Sequence, residues 1–124
     1  MRKIAVLPAA VLSVLAFLPA EAQKLEAGKW SGTVTPPDEP IATQVTYDVT
    51  VRGDTIGITA TAAEHGSFQF SDVRLSGDTL TFWFTPGPRV DCTLNRRDDG
   101  SFAGNCRDEN GGIATMVMVP PKKD

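Results

Sequence analysis

The chain has 124 residues, with 12 Lys and Arg against 15 Asp and Glu, one His and two Cys. This length predicts a single domain. A formal net charge of −3 gives no electrostatic basis for binding nucleic acid or an anionic lipid surface.

The first 22 residues have the pattern of a secretory signal peptide. A short positive region at 2–3 precedes an apolar run over 4–18, and the triplet A-E-A at 20–22 fits the small-x-small rule for cleavage. The apolar run is shorter than the roughly 20 residues of a membrane-spanning helix, which disfavours an uncleaved anchor. We therefore predict a mature domain over 23–124, no membrane span after cleavage, and a secreted or periplasmic location.

Eight short β-strands and no helix are predicted in the mature domain. Apolar and polar residues alternate with the period of two that is typical of half-buried strands, and no helical period of useful length occurs. In chain order the strands lie at 29–34, 42–52, 55–63, about 67–76, 79–85, 90–95, around 102–106, and 113–119.

The second and third strands form a hairpin. Their turn, Gly53-Asp54, has Gly first, as type II′ turns do. The register that this turn fixes places Val49 opposite Ile58 and Tyr47 opposite Ala60, so apolar residues share one face.

The tip of this hairpin, Arg52-Gly53-Asp54, also spells a cell-adhesion tripeptide. A second copy of the hairpin turn occurs at Ser76-Gly77-Asp78, without the Arg. Because Gly-Asp recurs where a turn is needed, we interpret it as a structural requirement rather than an adhesion site.

The fourth strand changes phase along its length. Phe68 and Phe70 share one face by parity, whereas Val73 and Leu75 share the other. A β-bulge near Ser71-Asp72 would reconcile them and bend the strand. The next turn is expected to pair Leu75 with Leu80 and Val73 with Phe82.

The predicted fold is an all-β antiparallel up-and-down meander. Eight sequential strands can remove both sheet edges if the eighth pairs with the first. We therefore favour a small closed barrel, with a flattened β-sandwich as the alternative.

Cys92 and Cys106 are expected to form a structural disulfide. A turn at Asp98-Asp99-Gly100 puts the two cysteines directly opposite each other on neighbouring strands. Their spacing is not that of a C-x-x-C redox motif, and one His adds too few ligands for a zinc site.

No sequence motif for catalysis is recognised, and His65 is the only histidine. It follows Glu64 in a polar loop, where a solvated side chain is a simpler interpretation than a general base. Asp, Asn and Gly at 98–100 and 108–112 are ordinary turn residues. We predict no enzyme activity, no metal site and no cofactor.

The inward face of the predicted barrel carries most of the aromatic residues. A barrel of eight strands is just wide enough to be filled by side chains or to hold one small ligand. Small residues at Gly32, Ala60, Ala62 and Gly104 could leave space near one end. The candidate ligand-binding residues inside the barrel are Trp30, Tyr47, Phe82, Phe84 and Phe102. Trp83 lies on the opposite face of its strand and is the candidate for a surface contact.

The motif Gly28-Lys29-Trp30 at the start of the first strand, with a meander after it, resembles the lipocalin-like (calycin) barrels. In that family the Trp of a G-x-W motif closes one end of the barrel. The resemblance implies an eight-stranded barrel that binds a small apolar molecule. The chain also resembles the small secreted barrels that inhibit bacterial metalloproteases, although their inhibitory N-terminal segment is not recognisable in 23–27.

The leading functional hypothesis is a secreted or periplasmic binding module without enzyme activity, which takes a small apolar ligand or a protein partner. A protease-inhibitor-like barrel is the first alternative, and an enzyme is a lesser one. An apolar cavity with polar groups at its mouth would favour the first hypothesis.

Overall fold

The computed structural model describes residues 24–122, so the predicted leader over 1–22 lies outside them. In chain order the strands are β1 (Gly28–Thr35), β2 (Thr43–Arg52), β3 (Thr55–Ala62), β4 (Gly66–Gln69), β5 (Ser71–Ser76), β6 (Thr79–Phe84), β7 (Val90–Arg96), β8 (Phe102–Asp108) and β9 (Ile113–Val119). Over the described range, no helix has the length and apolarity needed to cross a membrane.

All nine strands belong to one antiparallel sheet, in the order β4-β3-β2-β1-β9-β8-β7-β6-β5. Most strands that are consecutive in sequence are neighbours, and β1 also pairs with β9, so the last strand returns to the first. The predicted up-and-down meander is confirmed, and the sheet curls into a nearly closed barrel.

The ninth strand arises from a bend in what the sequence predicts as one strand. β4 pairs with β3, β5 pairs with β6, and only Phe70 separates the two halves. The register of β5 with β6 shifts between Ser71 and Arg74, and Asp72 has a positive φ of 51°. The expected bulge near Ser71-Asp72 is therefore confirmed.

The bulge changes one of the expected strand partners. Leu75 pairs with Leu80 as predicted, but the shift places Asp72 and Val73 together opposite Phe82. The predicted pairing of Val73 with Phe82 is therefore lost to the bulge. The extra residue bends the chain so that β4 stays on β3 while β5 reaches β6.

The hairpin registers predicted from turn chemistry are confirmed. Val49 pairs with Ile58 and Tyr47 pairs with Ala60 across β2 and β3. Gly53 has a φ of 59°, which a glycine adopts without steric cost.

Cys92 and Cys106 are directly opposite on β7 and β8 and form the predicted disulfide, with 4.0 Å between their Cα atoms. Both side chains are buried on the inner face of the barrel. The bridge therefore joins two strands of the wall from the inside.

Two inward-facing glycines allow strands to approach closely. A Cβ on Gly32 would overlap the carbonyl oxygen of Val117 on β9. A Cβ on Gly104 would overlap the carbonyl oxygen of Thr93 on β7. Backbone therefore fills the space beside these glycines, and they leave no room for a ligand.

We predict that Gly104→Ala destabilises the protein by about 2 kcal/mol, since its methyl group would overlap backbone that cannot move independently. Gly87→Ala is the matched control, because a Cβ there has nothing within 4 Å, and it should change stability by less than about 0.5 kcal/mol. Urea unfolding monitored by circular dichroism measures both. Equal stabilities for the two variants would contradict the close approach.

Removing the disulfide with the double substitution Cys92→Ala/Cys106→Ala should lower the free energy of unfolding by about 3 kcal/mol, because the unfolded chain regains the freedom of the closed loop. The same denaturant titration of the oxidised parent, the reduced parent and the double variant checks this. A reduced parent as stable as the oxidised one would be inconsistent with it.

Candidate functional site

The two ends of the barrel are built differently. One end, which we name the open end, is formed by the loops 36–42, 63–65, 85–89 and 109–112. The other, which we name the closed end, is formed by the segment 24–27, the turns 53–54, 77–78 and 97–101, and the tail 120–122. Alternate connections of a meander lie at the same end, which is why these loops group in this way.

The closed end is sealed by a large aromatic pair. Trp30 and Phe102 are buried, with ring centroids 6.0 Å apart. The indole N–H of Trp30 donates to the carbonyl oxygen of Glu26 at 2.8 Å, which draws the N-terminal segment across the end. Leu25 in that segment is buried, so it adds to the seal.

Arg96, at the end of β7, binds the same N-terminal segment. Its guanidinium lies 4.8 Å from the centre of the Phe102 ring, pairs with Asp78 at 3.1 Å and donates to the carbonyl oxygen of Lys24 at 3.2 Å. A cation over an aromatic face is attracted by the ring quadrupole. The arginine therefore ties the N-terminal segment to the turn between β5 and β6.

The open end contains a cavity of about 450 Å³. Its wall is largely apolar, and side chains from several strands contribute to it, among them Val45, Ala60, Ala62, Phe68, Phe84 and Met116. Prolines from the loops 36–42 and 85–89 line its rim. The cavity is thus a pocket that enters the barrel from one end.

Small side chains on β3 account for the space. Ala60 and Ala62 both line the cavity, as expected from their size. Gly32 and Gly104, which were expected to leave space in the same way, do not line it, because neighbouring backbone occupies their surroundings. The expectation is thus confirmed for the two alanines and wrong for the two glycines.

An aromatic cluster forms one side of the cavity, next to the bend between β4 and β5. Phe70 stacks on Phe82 with ring centroids 4.1 Å apart and an angle of 5° between the planes. Phe84 lies 5.0 Å from Phe70 and 6.1 Å from Phe68. Stacked and tilted ring pairs add to the stabilisation that burial provides, so these contacts help to hold this side of the cavity in place.

Polar side chains reach the cavity near its mouth. His65 is exposed there, and Asp108 is half-buried. Oδ1 of Asp108 accepts the backbone N–H groups of Asn110 and Gly112, each at 2.8 Å. Asp108 therefore shapes the turn between β8 and β9 while it contributes a charge to the mouth.

The residues predicted to bind a ligand are divided between the two halves of the barrel. Phe84 lines the cavity, and Phe82 lies beneath Phe70 in the adjoining stack. Trp30, Tyr47 and Phe102 are buried and do not line the cavity. Whether any of the five contacts a ligand stays a prediction.

Sequence reasoning missed the rim and part of the wall. The prolines of two loops and Met116 were not singled out, although alternate loops of a meander share one end. That rule, applied to the predicted strand order, would have brought the two proline-rich loops together. The burial of Leu25 had no comparable signal, because this residue precedes the first predicted strand and belongs to no alternating pattern.

Trp83 lies on the outside of the barrel, opposite in orientation to Phe82 and Phe84. Its ring is covered by the Arg89 guanidinium at 4.2 Å, and its N–H donates to Asp72 at 3.1 Å. The side chain is half-buried rather than fully exposed, so its own neighbours already cover part of the predicted contact surface.

The acidic residue Asp99 forms hydrogen bonds within its own turn, which accounts for a carboxylate at this position. Oδ1 of Asp99 accepts both the hydroxyl and the backbone N–H of Ser101, at 2.6 and 2.9 Å, and these bonds lower the pKa of Asp99. Among residues 24–122, no group of three or more His, Cys, Asp or Glu side chains could hold a metal ion.

Comparison with known proteins supports the fold alone. The chain is similar to the solved structure of a redesigned β-barrel, with a TM-score of 0.60 and 17% sequence identity, over 84% of this chain and 96% of that one. No protein-family model and no curated protein matches the chain. Fold and comparison together define a nearly closed antiparallel β-barrel, and the candidate site is the cavity at its open end.

Tyr47 provides a test of the buried core beneath the cavity. Its hydroxyl lies 3.2 Å from the carbonyl oxygen of Val117 and 3.3 Å from that of Thr33, where it donates, and burial raises its pKa well above the usual 10.0. We expect Tyr47→Phe to cost about 1 kcal/mol of stability at neutral pH, since the hydrogen bond is lost.

The cost should fall with rising pH. The pKa of Tyr47 is higher in the folded protein than its value of 10.0 in the unfolded chain. The stabilisation from the hydroxyl is therefore complete below pH 10.0. It is lost as pH rises above that value, because only the unfolded chain then releases the proton. Urea unfolding of both proteins at neutral and strongly alkaline pH measures this. A cost that stays constant across that range would show that the hydroxyl is not buried.

Proposed function

We propose that the protein binds one small, predominantly apolar molecule in the cavity at the open end of the barrel. The observation that carries the proposal is the cavity itself, at about 450 Å³. Ligand pockets for small molecules have volumes of roughly 300 to 1,000 Å³ and combine apolar walls with a few polar groups. A cavity with Phe84 and Met116 in its wall and His65 at its mouth fits that description.

The contacts that support the cavity wall favour ligand binding over collapse of the pocket. The Phe70–Phe82 stack supports one side, and the Cys92–Cys106 disulfide joins β7 to β8 on another, with Cys106 lining the cavity. A preformed pocket loses less conformational entropy when a ligand enters, which leaves more of the contact energy for affinity.

The proposal includes the finer features that the lipocalin resemblance implies. A buried Trp30 near the start of β1 seals one end, and the cavity opens at the other. A disulfide is consistent with an oxidising compartment. We therefore propose a lipocalin-like binding protein that acts outside the cytoplasm, in the secreted or periplasmic space.

The alternatives from sequence have less support. An inhibitory N-terminal segment would have to leave the barrel, yet Leu25 is buried and the carbonyl of Lys24 is bound by Arg96. Catalysis would need partners for His65, and its side chain has no hydrogen bond or ion pair within 24–122. We therefore favour binding over inhibition or catalysis.

A cavity-filling substitution tests the proposal. N-phenylnaphthylamine, a neutral apolar dye, should bind the parent protein with enhanced fluorescence. Ala60→Phe places a ring in the cavity and should weaken dye binding by at least about tenfold, equivalent to about 1.4 kcal/mol. Ala62→Leu fills the same space with a smaller side chain and serves if the larger ring perturbs folding.

The matched control is Thr61→Phe, on the exposed outer face of the same strand. It adds the same ring outside the barrel and should leave dye affinity unchanged. Circular dichroism and thermal melting confirm that the variants fold. The proposal fails if the parent does not bind the dye, or if the inner and outer substitutions have the same effect.

A further inference from the structure

The charges around the cavity mouth indicate the sign of the charge on the polar group of a ligand. We propose that the site selects apolar molecules with a cationic end, of the alkylammonium type, and discriminates against those with a carboxylate. This inference rests on the proposed ligand site and adds the chemical class of its occupant.

The open end is predominantly acidic. Its loops and the adjoining end of β8 carry the carboxylates Asp38, Glu39, Glu64, Asp108 and Glu109. In these same segments, all of which the structure describes, Arg89 is the only Arg or Lys apart from Arg107 on β8. A cationic group at the mouth would therefore meet a field of favourable sign.

Both arginines are directed away from the cavity. The Arg89 guanidinium pairs with Asp91 at 3.1 Å and covers Trp83 on the outside of the barrel. Its backbone N–H donates to Oε2 of Glu109 at 2.8 Å, which joins two mouth loops. Arg107 faces outward opposite Asp91. No Arg or Lys side chain among the described residues lines the cavity to neutralise a ligand carboxylate.

The closed end lacks this imbalance. Together with the adjoining ends of β2 and β7, it carries five cations, Lys24, Arg52, Arg96, Arg97 and Lys122, against five acids, Glu26, Asp54, Asp78, Asp98 and Asp99. The excess of negative charge is thus concentrated where the cavity opens, and it is not spread evenly over the surface.

Among the five mouth carboxylates, Asp108 is the one that lines the cavity. It is half-buried, and the hydrogen bonds that its carboxylate accepts in the turn both go to Oδ1. Oδ2 accepts no hydrogen bond within the described part of the chain. A charge at an apolar boundary is less screened than one in bulk water, so Asp108 should contribute most to the selection.

Competition with the bound dye tests the selection. Decyltrimethylammonium, decanol and decanoate share one alkyl chain and differ in the charge of the polar end. Below their aggregation limits and at low salt, decyltrimethylammonium should displace N-phenylnaphthylamine at least about tenfold more effectively than decanoate, with decanol between them. At about 1 M salt, where the screening length is roughly 3 Å, the part of the difference that comes from the exposed mouth carboxylates should disappear.

Charge-neutral variants locate the effect. Asp108→Asn keeps an oxygen that can accept the turn hydrogen bonds and should lower the preference for the ammonium ligand by about threefold. Asp38→Asn/Glu64→Gln removes two exposed mouth charges and serves if Asp108→Asn does not fold. Asp98→Asn removes the same charge at the closed end and should leave the preference unchanged.

The outcomes separate the two proposals. Failure of the dye to bind overturns the ligand site itself. Dye binding with decanoate displacing it as well as decyltrimethylammonium leaves the site intact and overturns the charge selection. An equal effect of Asp98→Asn and Asp108→Asn would show that the net charge of the protein, rather than the mouth, determines the preference, and would also overturn it.

Discussion

The structure depends on the bend at Phe70, because one stretch of chain has to serve both edges of the sheet. β4 pairs with β3 at one edge of the sheet, and β5 pairs with β6 at the other edge. The backbone N–H of Phe70 still donates to the carbonyl of Ile58 on β3 at 2.9 Å, and the bulge at Asp72 then redirects the strand toward β6. Without the bend the sheet would keep two long open edges, which proteins avoid because unpaired edges recruit other chains.

The same bend explains where the aromatic wall stands. Phe70 lies at the bend between the two edge strands, β4 and β5, and its ring points inward and stacks on Phe82 of β6. Ring contacts therefore cover, on the inside of the barrel, the place where the two edge strands are not paired with each other. Because those rings lie beside the cavity, closure of the barrel and the shape of the pocket depend on one set of contacts.

The sequence was sufficient to predict the features that local rules determine. The Gly53-Asp54 turn defined the register of β2 and β3, opposed positions paired Cys92 with Cys106, and the phase change predicted the bulge. The cavity was only partly predictable, because pocket volume depends on distances between strands far apart in sequence. Gly32 and Ala60 look alike as small inward residues, yet backbone crowds one and the other borders open space. Leu25 was missed because its burial depends on Arg96 and Trp30 reaching its segment from other strands.

The contrast between the two ends of the barrel explains why an apolar pocket remains at the open end. At the closed end, Trp30, Phe102 and Leu25 are buried in the interior. Arg96 lies against the ring of Phe102 and binds the N-terminal segment at the carbonyl of Lys24. At the open end the rim loops are rich in proline, whose fixed φ limits how far they can fold inward. The alanines of β3 add little volume beneath that rim. Collapse of the pocket would require the loops to bend or the stacked Phe70 and Phe82 rings to separate, and both changes cost free energy. An apolar molecule bound as we propose would bury its surface without those changes, so the proposed binding would not require the barrel to rearrange.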